Sequence, residues 1–199
     1  MKGTRNVIIL VVLGILLIGG VGGCVGCNSI NTAEQKVKKT WGDVETNYQR
    51  RNDLYSTVIK TVEASANFEK STLKAVTDAR ARAQSITVDI NDQASLDRFQ
   101  QAQGQLQGAF RTMMGYVESY PDLKTTQAFQ DFQAQQEGTE NRINTARIDF
   151  NKAVQEYNGK IVRFPSSFIA SIIGKKEKAF YKAEPGTDKV PEVNFNNIK

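Results

Sequence analysis

The chain has 199 residues, with 26 Lys and Arg against 21 Asp and Glu, no histidine, and two cysteines, Cys24 and Cys27. The lack of histidine removes the commonest metal ligand and the commonest general base. A formal net charge of +5, spread without any run of five like charges, is a solvated surface and not a nucleic-acid footprint.

Met1 to Asn6 is a short basic start carrying Lys2 and Arg5, and residues 7–27 that follow carry no charge. Val7 to Ile18 is almost pure Val, Ile and Leu, and Gly19 to Cys27 is a small-residue run. About 20 uncharged, mostly apolar residues are long enough to cross a bilayer as a helix. Two tethers fit these residues. One is an uncleaved signal anchor, a helix that satisfies its own backbone in lipid. The other is a lipoprotein signal peptide, with Val21-Gly22-Gly23-Cys24 as a loose processing site and Cys24 as the lipidated residue. Both keep the chain on a cell membrane. Lys2, Arg5 and the amino terminus lie closer to the span than Lys36, Lys38 and Lys39, which favours a cytoplasmic N-terminus and an exported domain. Both cysteines sit in or beside this segment, so the rest of the chain has no disulfide or thiol chemistry.

Beyond Asn28 the chain is rich in helix formers and poor in proline. Val37, Trp41, Val44, Tyr48, Tyr55, Val58 and Val62 recur at helical spacing, with Arg51 filling the one gap. No Gly or Pro interrupts residues 43–90, which predicts one long helix over about 30–86, ~80 Å in length. A kink near Asn67, with a second, antiparallel helix starting there and shortening the domain, is the alternative. Ile86 to Gln93 suits a connection, and Leu96, Phe99, Leu106, Phe110, Met113 and Val117 mark a helix over about 93–119. Tyr120-Pro121 ends it, since proline disfavours the helical conformation before it. Phe129, Phe132, Ile143, Phe150, Val154, Tyr157 and Ile161 mark a helix over about 124–163, and a short helix over about 166–173 closes at Gly174. Long helices on short turns bury their stripes against one another. The predicted fold is therefore all-α: an antiparallel up-and-down bundle of three long helices and a shorter one over residues 30–183, with residues 1–6 and 7–27 before it and a flexible polar tail over 184–199.

Several polar clusters interrupt this pattern. Gly104 and Gly108, four apart, read as a place for close helix packing ahead of a dimerisation face. Glu137 to Arg142 is unusually polar for a core-flanked helix, and Glu140, Arg147 and Asn151 share a face. Glu137 and Glu140 invite an acid/base reading, but no orienting partner, nucleophile or phosphate loop accompanies them. A structural network or recognition surface is the better reading. Arg50-Arg51-Asn52-Asp53 offers guanidinium groups to carboxylates of a neighbouring helix or a partner, with a solvated face as the default. Phe164 to Gly174, flanked by Lys175, Lys176 and Lys178, is amphipathic and suits either an anionic membrane surface or the open end of the bundle.

Taken together, the chain resembles the LemA family of bacterial membrane proteins from about Val37 to Ala183. The resemblance rests on Tyr48-Gln49-Arg50-Arg51-Asn52-Asp53-Leu54, Glu69-Lys70, Ala79-Arg80-Ala81-Arg82-Ala83 and Glu118-Ser119-Tyr120-Pro121-Asp122-Leu123-Lys124. It continues through Glu137-Gly138-Thr139-Glu140-Asn141-Arg142-Ile143, Ala146-Arg147, Tyr157-Asn158-Gly159-Lys160 and Phe164-Pro165-Ser166. Phe68 stands where the family usually has His, and Tyr55-Ser56-Thr57 where it usually has Ile-Pro-Asn. The resemblance implies a membrane segment on a helical bundle, with no established catalytic activity or cofactor. No catalytic, cofactor-binding or metal-ligating residue is therefore assigned. Arg50, Arg51, Asp53, Glu118, Tyr120, Pro121, Asp122, Glu137, Thr139, Glu140, Asn141, Arg142 and Arg147 are candidates for partner contact or structure, and Cys24 for lipidation. The expected partners are the lipid bilayer and other proteins, with no nucleic acid and no small-molecule substrate. The expected role is a non-enzymatic adaptor or scaffold in the bacterial envelope, with a membrane-surface protein or a carboxylate-based hydrolase as alternatives.

Overall fold

A computed structural model describes residues 2–65 and 68–182; before Val25, side chains are described only for Asn6, Leu10, Leu13, Gly14 and Gly23. Six helices and no strand occur among these residues: α1 Lys2–Glu63, α2 Lys70–Ser85, α3 Gln93–Val117, α4 Pro121–Lys124, α5 Gln127–Val162 and α6 Ser166–Ile172. Among the described residues no helix is long and apolar enough to cross a membrane. The side chain of Cys24, and the whole of the predicted tail over 184–199, lie outside the description.

The continuous helix predicted over 30–86 is broken, and the alternative of a second, antiparallel helix starting near Asn67 holds. α1 stops at Glu63, and α2 restarts at Lys70, where the N-cap Glu69 side chain accepts from the Ser71 amide at 3.3 Å. Nothing in the local sequence forces the stop. Packing does: a continuous helix would carry the α2 stripe of Val76, Ala79 and Ala83 past the end of the bundle into water. Turning back buries that stripe against α3, and Phe68 is buried in the turn against the Tyr120 ring at 5.3 Å. Burial of a side chain such as Val76 or Phe68 is worth about 1.5–3 kcal/mol, and together with the two alanines this exceeds the cost of ending a helix. The bundle thus runs up-down-up-down through α1, α2, α3 and α5, and the fourth bundle helix comes from the interrupted first stripe.

α3 begins where expected because Asp92 caps it, accepting from the Ala94 and Ser95 amides at 3.0 Å each. Tyr120-Pro121 ends it and opens the single turn α4, with Pro121 at the first helical position. α5 then runs antiparallel along α1. After Pro165, joined to Phe164 by a cis peptide, α6 folds back over the base of the bundle and ends at Gly174, whose φ of +67° only glycine adopts without strain.

The interior divides in two along the long axis. The lower core holds Ile30, Val37, Trp41, Val44, Leu96, Phe99, Phe150 and Tyr157, with Trp41 edge-on to Phe99 at 5.6 Å and to Phe150 at 5.2 Å. The upper core holds Tyr55, Val58, Val76, Leu106, Phe110, Met113, Phe129 and Phe132, with Tyr55 stacked on Phe110 at 3.7 Å.

Candidate functional site: a polar layer between two cores

Between these two cores lie Arg51, Asn52, Gln103 and Thr139, all buried. Arg51 occupies the gap in the α1 stripe, seven residues after Val44 and four before Tyr55, so the helix aims it into the core. It is 2% exposed, not a member of a solvated face. Its Nη2 donates to Gln103 Oε1 at 2.8 Å and more weakly to the Gln103 carbonyl at 3.4 Å, while Nη1 lies 3.7 Å from Glu140 Oε1. The guanidinium sits over the rings of Tyr48 at 4.8 Å and Tyr55 at 5.7 Å. Its Nε has no hydrogen-bond partner. A buried cation held mainly by a neutral amide, with a carboxylate at the limit of contact, is expensive.

Two turns along α5 from Glu140, Arg147 donates from Nε to the Tyr48 hydroxyl at 3.0 Å and from Nη2 to the same oxygen, and lies over the Tyr181 ring at 4.6 Å. The Tyr48 and Tyr181 hydroxyls are 2.5 Å apart. Burial raises the Tyr181 phenol above its ordinary range, with a further push from Tyr48, against the opposing charge of Arg147. Burial likewise pushes Tyr55 up to about 12. Both phenols therefore stay neutral, and Tyr181 acts as a hydrogen-bonding group and not as an anion.

Arg51, Arg147, Gln100, Gln103, Tyr181 and Lys182 surround a cleft of about 420 Å³ whose mouth carries the Lys182–Asp97 ion pair, 2.6 Å apart. The Gln100 Nε2 is buried there without a partner. Gly104 forms part of the wall, and a side chain at Gly104 or Gly108 would meet nothing within 4 Å. These glycines do not bring helices together, contrary to the packing expectation; both lie on the exposed side of α3. Neither Glu137 nor Glu140 lines the cleft, and Glu137 is exposed, so the pair is not arranged for acid/base work.

The extended segment 175–182 closes one side of the layer. Asn151 Oδ1 accepts from the Tyr181 amide and its Nδ2 donates to the Tyr181 carbonyl, both at 2.8 Å. Asn158 does the same to Lys178, at 2.9 and 3.0 Å. At the base, Lys178 Nζ donates to Glu34 Oε1 at 2.9 Å and Asn91 Oδ1 at 2.6 Å, and Lys175 Nζ to Glu34 Oε2 at 2.5 Å. Lys178 is buried, so the basic flank after α6 is partly a fastening inside the bundle.

Of the candidate residues, the bundle brings together Arg51, Thr139, Glu140 and Arg147. Arg50 and Asp53 are exposed on the opposite side of the turn, with Asp53 accepting from Gln49 at 2.8 Å. Asn141 and Arg142 line a shallow surface groove with Asp43 and Asn47. Glu118, Tyr120, Pro121 and Asp122 form the α3–α4 corner at the far tip. Gln103, Tyr181 and Glu34 carry the network without having been singled out, while Asn158 stood only in the family resemblance and Lys178 only in the basic flank. The one signal available for the asparagines was the seven-residue spacing of Asn151 and Asn158 on a core-flanked face, which the grouping of Glu140, Arg147 and Asn151 did not extend to.

A second surface lies at the base. Phe164, Phe168 and Ile172 are 88%, 69% and 69% exposed, and with Gly23 and Cys27 of α1 they border an apolar groove of about 570 Å³. α6 approaches α1 so closely that a Cβ at Gly26 would meet Ile169 Cδ1 at 2.4 Å. No group of three or more His, Cys, Asp or Glu able to hold a metal ion occurs among the described residues.

Magnetosome protein MamQ 2 of Paramagnetospirillum magneticum is 30% identical over 87 residues, 44% of this chain and 32% of that protein. Magnetosome protein MamQ of Magnetospirillum gryphiswaldense is 28% identical over the same length. The chain thus spans about a third of the length of these relatives. Protein LemA of Metamycoplasma hominis is 22% identical over 156 residues, 78% of this chain and 68% of that one. Residues 40–195 match the model of the LemA family, which covers the whole polar layer and both cores above residue 40, and the chain belongs to the LemA family.

Proposed function

We propose that this chain is a non-enzymatic, membrane-anchored helical bundle that serves as an adaptor or scaffold for other proteins in the bacterial envelope. The observation that carries this reading is α1, a single helix of 62 residues that passes from the charge-free segment 7–27 straight into the bundle core. A bundle built on such a helix is held at a fixed attitude to whatever holds residues 7–27. The tether is that segment as a signal anchor, or a lipid on Cys24 as the alternative. The body above it offers long polar helix faces, and among the described residues Glu137 and Glu140 do not meet in the cleft.

Sidedness and partners are tested together. Cys24 and Cys27 are changed to Ser, one cysteine is placed at exposed Gln135, and intact cells with any outer membrane permeabilised are treated with a membrane-impermeant maleimide. A parallel sample keeps Cys24, so that loss of a lipid is seen. Labelling in intact cells is expected, with the protein in the carbonate-washed membrane pellet. Recovery in the supernatant would end the anchor reading, and labelling only after lysis would reverse the orientation. Cross-linking from Gln135 in the same cells is expected to give discrete adducts; only monomer across several reporter positions would remove the adaptor role.

A second reading is favoured by one specific observation, the exposed Phe164, Phe168 and Ile172 beside the end of the charge-free segment. In it the base of the bundle rests in the headgroup region of the bilayer. This reading is compatible with the adaptor role and adds a second membrane contact to it.

A further inference from the structure

We infer that the apolar groove between α1 and α6 is a binding site for an acyl chain of an anionic membrane phospholipid. Among the described residues, every large apolar side chain more than half exposed lies on α1 before Asn28 or between Val162 and Ile172. The water-facing apolar surface is therefore gathered at one end of the molecule, beside the charge-free segment. α6 makes the groove because it is apolar on two faces. Ile169 and Ala170 pack inward, Ile169 against α1 at Gly26, while Phe164, Phe168 and Ile172 recur every four residues on the outer side. Gly23 and Cys27, also four apart, form the opposite wall.

The lining fixes the chemistry of the occupant. Among the described residues it offers no hydrogen-bonding side chain stronger than the Cys27 thiol, so polar groups of a ligand would be buried there unsatisfied. An acyl chain has none. The volume of about 570 Å³ is that of a small-ligand site and too small for a folded partner. Charge selects the headgroup. Lys175 and Lys178 meet Glu34, whereas Arg163 before α6 and Lys176 after it are exposed and form no ion pair among the described residues. Glu177 is the only carboxylate between Arg163 and Lys182. Cations flanking an apolar face attract the phosphate of an anionic lipid, and a zwitterionic headgroup forfeits most of that attraction. The inference rests on the reading of the base as a membrane-contacting surface and adds to it a defined, headgroup-selective site.

The test uses the full chain in phosphatidylcholine nanodiscs doped with phosphatidylglycerol that carries a photoreactive diazirine on its acyl chain. A parallel sample carries the same chain on phosphatidylcholine, and adducts are mapped by mass spectrometry. Adducts at Cys27 or within residues 164–173 are expected, saturable by unlabelled phosphatidylglycerol. The anionic probe is expected to be favoured by about fivefold for each of the two flanking cations. Arg163→Gln with Lys176→Gln is expected to bring the two probes level. Gly23→Leu fills the groove instead: a Cβ at Gly23 meets nothing within 4 Å, so the fold is kept, and Phe168 and the flanking charges are untouched. It is expected to abolish the saturable labelling while unsaturable contact at Phe168 persists. Equal labelling by the two probes overturns the inference but leaves the base in contact with the bilayer. So does labelling that Gly23→Leu leaves unchanged, or a preference that the double glutamine variant retains. With one chain per disc, absence of adducts over 164–173 with either probe overturns the inference and the membrane-surface reading together. Two chains per disc without such adducts assigns the groove to a second copy and likewise overturns the inference.

Discussion

Glu34 shows what one side chain does when three segments converge on it. It projects from α1 and receives Lys175 and Lys178 from the extended segment after α6, and Lys178 in turn reaches Asn91 before α3. Burial alone would raise the Glu34 carboxyl, but the two ammonium hydrogen bonds outweigh it and bring the group from 4.5 to about 2. The sign follows directly. The folded-state value lies below the unfolded one, so the contribution is fully present above pH 4.5 and is lost as pH falls from 4.5 towards 2. With allowance for nearby solvent it amounts to about 2 kcal/mol. Glu34→Gln is expected to lower the denaturant-derived stability by about that much at pH 7 and to converge with the natural chain only as pH reaches about 2. A constant gap across that range, measured by urea titration, would show that Glu34 acts through packing and not through charge. Arg51 makes the complementary case. Arg51→Met keeps volume and removes a poorly matched buried charge, so stability is expected to hold within about 1 kcal/mol or rise, whereas Arg51→Ala opens a cavity and costs about 2–4 kcal/mol. Thermal unfolding of the pair reads the difference directly. The position of Arg51 on the core face was legible from its spacing alone. Its partners were not, because Gln103 and Glu140 meet it only once the registers of α3 and α5 against α1 are set.

The extended segment over 175–182 gains its fixed course from α5. Asn151 and Asn158 lie seven residues apart, ~10.5 Å along a helix, and they grip residues three apart in an extended chain, ~10 Å along it. The two repeats match, so each asparagine meets the amide and the carbonyl of one residue, as a neighbouring strand would. Such a match needs a side chain with both a donor and an acceptor, which excludes aspartate and leucine alike. Asn158→Asp would replace the donor by an acceptor facing the Lys178 carbonyl. It is expected to speed exchange of the Lys178 and Tyr181 amides by about tenfold or more, while the amides of α3 are unaffected. Uniform acceleration throughout the bundle would mean that the segment is part of the global folding unit. Sequence periodicity could not reveal this element, because it has neither helical nor strand repeat and takes its order from the partner. The passage from α1 to α2 was legible only as an alternative near Asn67, for a related reason. The apolar stripe continues through it with no proline or glycine, and only the length of α3 and α5 dictates where α1 must turn back.

At the scale of the whole molecule, the all-helical class and the ends of α3, α5 and α6 were legible because caps and prolines are local signals, and the stripes identified almost every core residue. What the stripes left undetermined was how one long apolar face divides between two helices. That division sets the height of the molecule. α1 continues from Cys27 to Glu63, 36 residues beyond the charge-free segment, which places the α3–α4 corner ~54 Å from the base. α6 lies against α1 at Gly26, so its exposed face of Phe164, Phe168 and Ile172 sits level with the start of that rise. The two observations make a joint prediction about attitude. With residues 7–27 in a bilayer, an environment-sensitive fluorophore at Phe168 is expected to shift to the blue and to be quenched by brominated lipid, and the same fluorophore at Gln135 is not. Energy transfer from Asp122, in the far corner, to acceptor lipids is expected to report a separation of about 50 Å. A short distance at Asp122 together with quenching at Phe168 would mean that the bundle lies along the surface, with α1 bent between Cys27 and Ile30. Such a bend would detach α6 from Gly26, so restoring the upright distance by cross-linking Gly26→Cys to Ile169→Cys would identify that joint as the element that keeps the bundle standing.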